Sequence, residues 1–330
     1  ITMAENTLDK EVEGKNGDIE AHYSQELVGK VLNGDYKGKE ISMTNKYTYT
    51  GAYDERYSKG DIVFVTVKGK GEILSGTVNG LKRDGFVALA IAILIFIVVL
   101  VSGRKGTFAL VSLGFNIIMF VVGLHIYSLG YNIYGITIGL VIIFAIVSML
   151  LISGFNKKSL VAILSIFISI TISMLLFNIA LKYSGEIEYW MMNYISNTDN
   201  LQYIFMSGVL LGGLGATMDV AISIAASIQE IVDRDHSVTF KALFKSGREI
   251  GYDIMGTMVN VLLFTFISGS IPMLIFRMKN GISFIETVSS RMTFEVYRFL
   301  IGSIGILVTV PVAIIISAAL LRRKAGESND

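Results

Sequence analysis

The strongest constraint on this chain is a series of seven apolar segments behind a polar head. They lie at residues 86–101, 107–126, 133–152, 159–181, 201–227, 252–276 and 294–321. A helix that crosses the hydrocarbon core of a bilayer needs about 20 mostly apolar residues. The first segment is short but uncharged. Within the rest only Asp219, Asp253, Glu295 and Arg298 carry charge, and the last three lie near helix ends. The charge distribution marks the same boundary. Residues 1–85 hold 12 Lys/Arg and 14 Asp/Glu, and residues 86–330 hold 16 and 13. The charged fraction is thus roughly 31% in the head and 12% beyond it, against about 25% in a soluble globule. These numbers exclude a wholly soluble enzyme. No basic face is present, which excludes nucleic acid as a partner. The chain has no Cys and three His, so disulfides, thiolate metal sites and Cys nucleophiles are excluded.

Basic residues in short loops set orientation. With the head outside, the inner loops hold 11 of them: Arg104, Lys105, Lys157, Lys158, Arg234, Lys241, Lys245, Arg248, Arg322, Arg323 and Lys324. The outer side holds 7: Lys82, Arg83, Lys182, Arg277, Lys279, Arg291 and Arg298. The expected topology is head outside and C-terminal tail, 322–330, in the cytoplasm. Trp190 and its neighbouring tyrosines suit an interfacial belt on the outer side. An exported head needs an export signal, and none precedes it, so a leading signal or anchor helix is expected ahead of Ile1.

In the head, residues 62–68 alternate β-branched and polar, and 72–78, 40–49 and 26–32 read as further short strands separated by glycines. Strands this short and close predict a small β-barrel of OB or SH3 type over 19–85. Residues 1–18 are polar and read as disordered or foreign to the natural chain. The glycine- and lysine-containing run 34–39 lacks the Walker spacing and a following helix, so it reads as a hairpin turn.

The fifth apolar segment carries the most chemistry. From Asp219, helical steps lead back to Gly215, Gly212 and Gly208 and forward to Ser223 and Glu230. Close helix packing through small residues accounts for the glycines. It does not account for Asp219, because an acid in a span is costly and faces a cavity, a partner or an ion path. The competing reading is a structural hydrogen bond. The sixth segment offers a matching stripe, Asp253, Thr257 and Asn260, expected to dock on the glycine groove with Ser223, Thr257 or Asn260 beside Asp219. Asp253 also fits a solvated acid at a helix start. Glu295 and Arg298, three residues apart, suit a local ion pair, with an outer gate as the alternative. Pro272 and Pro311 are expected to kink their helices. Residues 229–250 read as a charged amphipathic loop with Val238, Phe240, Leu243 and Phe244 against the membrane.

Three runs are similar to the signature of the YibE/F-like bacterial membrane proteins: residues 214–230, 247–260 and 295–305. In the head, 32–39 and 59–61 also resemble that family. The resemblance covers about residues 20–321 and implies a polytopic α-helical protein of the bacterial inner membrane. The layout of an acid on a small-residue helix, a charged cytoplasmic segment, then a Thr- and Asn-bearing helix also resembles the proton-driven resistance-nodulation-division superfamily and the Sec accessory subunits. That resemblance implies coupling of proton flow to movement of an outer domain.

The leading expectation is an ion- or proton-coupled transporter centred on Asp219, with Ser223, Thr257 and Asn260 as neutral ligands and Asp253 and Glu230 nearby. The alternative is an accessory or assembly protein whose outer domain grips a partner. No nucleophile or metal triad is readable, so neither enzyme chemistry nor a cofactor is expected. The partners expected are the lipid bilayer, an unnamed solute or ion, and either a second copy or another protein at the outer domain.

Overall fold

The computed structural model describes residues 1–13, 17, 19–51, 54–68, 74–184, 189 and 200–321. The chain divides into two compact units, Ile1–Ile97 and Val98–Asp330.

The first unit is built on five strands: β1 (Met3–Glu13), β2 (Ile19–Lys30), β3 (Glu40–Thr48), β4 (Val63–Lys68) and β5 (Leu74–Leu81). Their order is β1-β2-β3-β5-β4. The first three form an antiparallel meander. β3 joins β5 in parallel, from Ile41 opposite Leu74 to Met43 opposite Gly76, and β4 returns antiparallel to β5. The sheet is open, with β1 and β4 as edges among the described residues, so the closed barrel expected from the sequence is not formed. One end is tied: the Ile1 backbone nitrogen donates to the Asp61 carbonyl at 2.7 Å, and the Gly60 N–H donates to the Ile1 carbonyl. Alternate inward residues build the core around Leu27, Ile41, Met43, Tyr57 and Leu74.

Over Met3–Glu13, β1 corrects the expectation of disorder. Its side chains are almost all exposed, so no buried face leaves an apolar alternation in the sequence. The backbone ladder to β2, from Met3 opposite Val28 to Glu13 opposite Ile19, holds it instead. At the centre, Gln25 is fully buried. Its Nε2 donates to Asn6 Oδ1 and to the Tyr57 carbonyl, at 2.7 and 2.8 Å, while its Oε1 accepts from Asn45 Nδ2 and the Tyr57 N–H. Every hydrogen-bonding site of that amide is occupied, which is what burying it requires.

The helices are α1 (Asp84–Ser128), α2 (Ile133–Ser153), α3 (Lys157–Ser184), α4 (Leu201–Arg234), α5 (Phe240–Lys279), α6 (Phe284–Ser290) and α7 (Thr293–Leu320). Six of them, all but α6, are long and apolar enough to cross a membrane. The first two expected spans are merged in α1 and separated only by a break at Gly103, with φ 53° and ψ −130°. A side chain rarely adopts that conformation, so glycine is needed there. A Cβ at Gly106 would stand 2.6 Å from the Val98 carbonyl oxygen. Eight residues of straight helix would hold those positions about 12 Å apart, so the chain turns sharply at Gly103.

The expected loop over 229–250 shrinks to 235–239: α4 runs on to Arg234, and α5 begins at Phe240 behind the cap Thr239, whose Oγ1 accepts from the Ala242 N–H. Packing explains the extension, since Val232 and Leu243 are buried together with Ile228 and Ile314. The two prolines sit inside α5 and α7, which run through them. α7 lies at the centre, packed on α3, α4 and α5. The aromatic run around Trp190 and the tail 322–330 lie outside the described residues, apart from Tyr183 and Tyr189.

Candidate functional site

α4 has two unlike faces. One is buried and carries Phe205, Val209, Leu214, Val220, Ala221, Ile224, Ala225 and Ile228. The other carries the stripe singled out in the sequence. Along it Gly212, Gly215, Asp219 and Glu230 are exposed, while Gly208 and Ser223 are half-buried. The stripe therefore lies on one side of the helix, as its spacing implies, but the neighbouring helices leave most of it uncovered.

The expected docking of the sixth apolar segment into this groove is not what the structure shows. A Cβ at Gly215 would meet nothing within 4 Å, and one at Gly212 only the tip of the Phe266 ring, at 3.7 Å. Phe266 is nine residues beyond Thr257, about two and a half turns of helix, so Thr257 projects from the opposite side of α5. Thr257 and Asn260 are exposed and donate within their own helix, to the Ile254 and Gly256 carbonyls at 2.8 and 2.9 Å. Ser223 accepts from Ser227 through its carbonyl. Glu230 pairs with Arg234, and Asp253 is exposed near the start of the apolar part of α5. Among the described residues no hydrogen bond or ion pair reaches the Asp219 carboxylate. Asp219 and the α5 stripe thus share a hairpin without touching through polar groups.

The close approaches lie elsewhere. A Cβ at Gly251 would collide with Val310, one at Gly247 with Ile314, and one at Gly302 with Leu262. These glycines let α5 and α7 meet backbone to side chain. Buried hydroxyls complete the interior. On α3, Ser165, Ser169 and Ser173 repeat every four residues and are buried, and α7 contributes Thr309 and Ser317. Most bond back to a carbonyl one turn earlier. A cavity of about 10 Å³ lies between Ser173, Thr217, Gly213 and Gly305, near the lower limit for one water. The i, i+4, i+8 serine spacing was legible in the sequence, but it marks packing as readily as a site.

Glu295 and Arg298 form the expected ion pair, Nη1 to Oε1 at 2.7 Å, with both side chains largely covered. Arg298 has reach that its sequence position does not disclose. Its guanidinium lies over the Phe205 ring at 5.7 Å and stands against Gly208 of α4. Its Nε is buried without a hydrogen-bond partner. The space beside Gly208 is thus taken by an arginine from α7, not by a helix backbone from α5.

The head holds a cavity of its own, about 530 Å³. Ile41, Met43, Val63, Val65 and Val67 supply apolar walls, and Lys30, Asp35, Asp61 and Lys82 supply polar ones. It lies along β4, whose outer edge carries no paired strand. No group of three or more His, Cys, Asp or Glu suited to a metal ion occurs among the described residues.

Neither a curated protein nor a solved structure matches this chain. Two family profiles do. One, the YibE/F family N-terminal domain, matches residues 1–81, which include β1. The other, the YibE/F-like protein, matches residues 90–323 and so covers the helical body. Between them they account for the head and the helices alike, and the chain belongs to the YibE/F family.

Proposed function

We propose that this chain is an ion- or proton-coupled transporter of the bacterial cell membrane, with the head outside and Asp219 as the coupling acid. One observation carries the reading. Asp219 sits within an apolar helix of membrane-spanning length, on the face of α4 that its neighbours leave open and one turn from Gly215, which has free space above it. A carboxylate held in a span without a partner costs at least about 2.5 kcal/mol on insertion scales. A bound cation or a proton offsets that cost, and its exchange is the elementary step of coupling. Ser223 is the nearest neutral oxygen along the stripe. Thr257 and Asn260 join only if the α4–α5 hairpin rearranges, and Glu295 with Arg298 serves as an outer gate.

The test uses the purified chain in liposomes, with proton and sodium flux followed after an imposed pH or sodium gradient. Flux above that of empty liposomes is expected, and Asp219→Asn should abolish it without lowering the melting temperature. Full flux in Asp219→Asn overturns the site. Absence of both fluxes in the wild type overturns transport.

A second reading has its own support. The cavity in the head runs beside the unpaired edge of β4, an arrangement suited to an added strand from a partner. In that reading the chain is an accessory or assembly protein. A partner that co-purifies, and is lost on Val65→Glu, would favour it.

A further inference from the structure

The first three turns of α5 carry a face that neither the transport nor the assembly reading uses. Lys241, Lys245, Arg248 and Tyr252 are exposed, and at 100° per residue they fall within about 60° of arc. Phe244 lies between this strip and the buried side of the helix, and its ring stacks at 6.2 Å on that of Phe240, which is exposed one turn earlier. The buried side itself holds Leu243, Gly247 and Gly251. Around the helix the order is therefore buried, aromatic, cationic. Tyr252 is 55% exposed and carries the Arg248 guanidinium over its ring at 5.8 Å.

The charge on this face is not neutralised within the chain. Among the described residues Lys241, Lys245 and Arg248 form no ion pair. The acids close by are engaged or turned aside. Glu230 holds Arg234, Asp233 accepts from Gln229, and Asp235 accepts from the Ser237 N–H and hydroxyl. Glu249 lies at the margin of the face without bonding Lys245, one turn away. Twelve residues separate Phe240 from Tyr252, about 18 Å of helix, and the same helix continues straight into its apolar portion. A soluble acidic partner has no need of the aromatic rows. A phospholipid has, since aromatic rings sit at the headgroup level while Lys and Arg reach outward to the phosphates.

We infer that this face is a binding site for anionic phospholipid headgroups, with Lys241, Lys245 and Arg248 on the phosphates and Phe240, Phe244 and Tyr252 at the acyl boundary. A basic residue near an anionic surface contributes about 1 kcal/mol, or roughly fivefold, so removing three should weaken binding about a hundredfold.

The experiment titrates phosphatidylglycerol, phosphatidylcholine or inorganic phosphate into the full chain in a neutral detergent and counts bound molecules by native mass spectrometry. Phosphatidylglycerol should bind in clear preference to phosphatidylcholine. The triple variant Lys241→Gln, Lys245→Gln, Arg248→Gln should lose that preference. The charge-keeping variant Lys241→Arg, Lys245→Arg, Arg248→Lys should retain it, which separates charge from folding. Equal binding of both lipids, undiminished preference in the neutral variant, or complete displacement by inorganic phosphate at equal concentration would each overturn the assignment.

Discussion

The head and the helical body each carry a conspicuous polar side chain, and they handle it in opposite ways. In the head, Gln25 is sealed and four partners meet its amide. In the body, Asp219 lies in an apolar helix with its face open and its carboxylate unbonded among the described residues. A satisfied buried amide rigidifies and specifies a fold. An unsatisfied acid contributes nothing to stability that a packed apolar residue would not exceed. The difference teaches where to look for function: in the region where the chain has left a polar group unfinished, not where it has completed one.

The largest test of this contrast is Gln25→Leu. Both backbone groups of Tyr57 lose their partner, and a buried polar group left unpaired costs roughly 1–3 kcal/mol. The head should lose about 2–6 kcal/mol, read as accelerated hydrogen exchange across β2 and β3 with the helices unaffected. If the head keeps its protection, the amide network is ornamental and the comparison fails.

A smaller effect separates two sets of glycines in the body. Gly251 faces Val310 without room for a Cβ, and overpacking of this kind costs about 1–3 kcal/mol. Gly251→Ala should lower the melting temperature in detergent, whereas Gly215→Ala, which meets nothing within 4 Å, should leave it unchanged. If Gly215→Ala instead removes flux at unchanged stability, the groove beside Asp219 is occupied during transport and the contrast is sharpened.

The smallest effect concerns an exposed acid of the head. The Thr50 N–H, followed by the Thr50 hydroxyl, holds the Glu20 carboxyl below its usual range. Its stabilising contribution is therefore complete above the ordinary glutamate value and is lost as pH falls through the lowered one. Glu20→Gln should flatten the acid limb of head stability slightly, measured by hydrogen exchange between neutral and acid pH. A steeper limb in the variant would reverse the sign.

Much of this molecule was legible without coordinates. Apolar runs long enough to span a bilayer are local facts, since hydrogen bonding within a helix and the thickness of the hydrocarbon core set their length. The stripe from Gly208 to Glu230 was legible for the same reason, because helical period alone puts those residues on one side. β1 was not, since an exposed edge strand needs only backbone pairing and leaves no apolar alternation. Nor was the extension of α4 to Arg234 and of α5 back to Phe240, where charged residues conceal the burial of Val232 and Leu243. Composition and period along the chain determined the polar head, the apolar helices and the faces on which their residues lie. Tertiary packing decided which faces are covered: α7 took the centre, Arg298 took the space at Gly208, and the side of α4 bearing Asp219 stayed open. The reason is physical: helical period is fixed by bonds within a few residues, whereas coverage depends on which distant side chains leave room for one another.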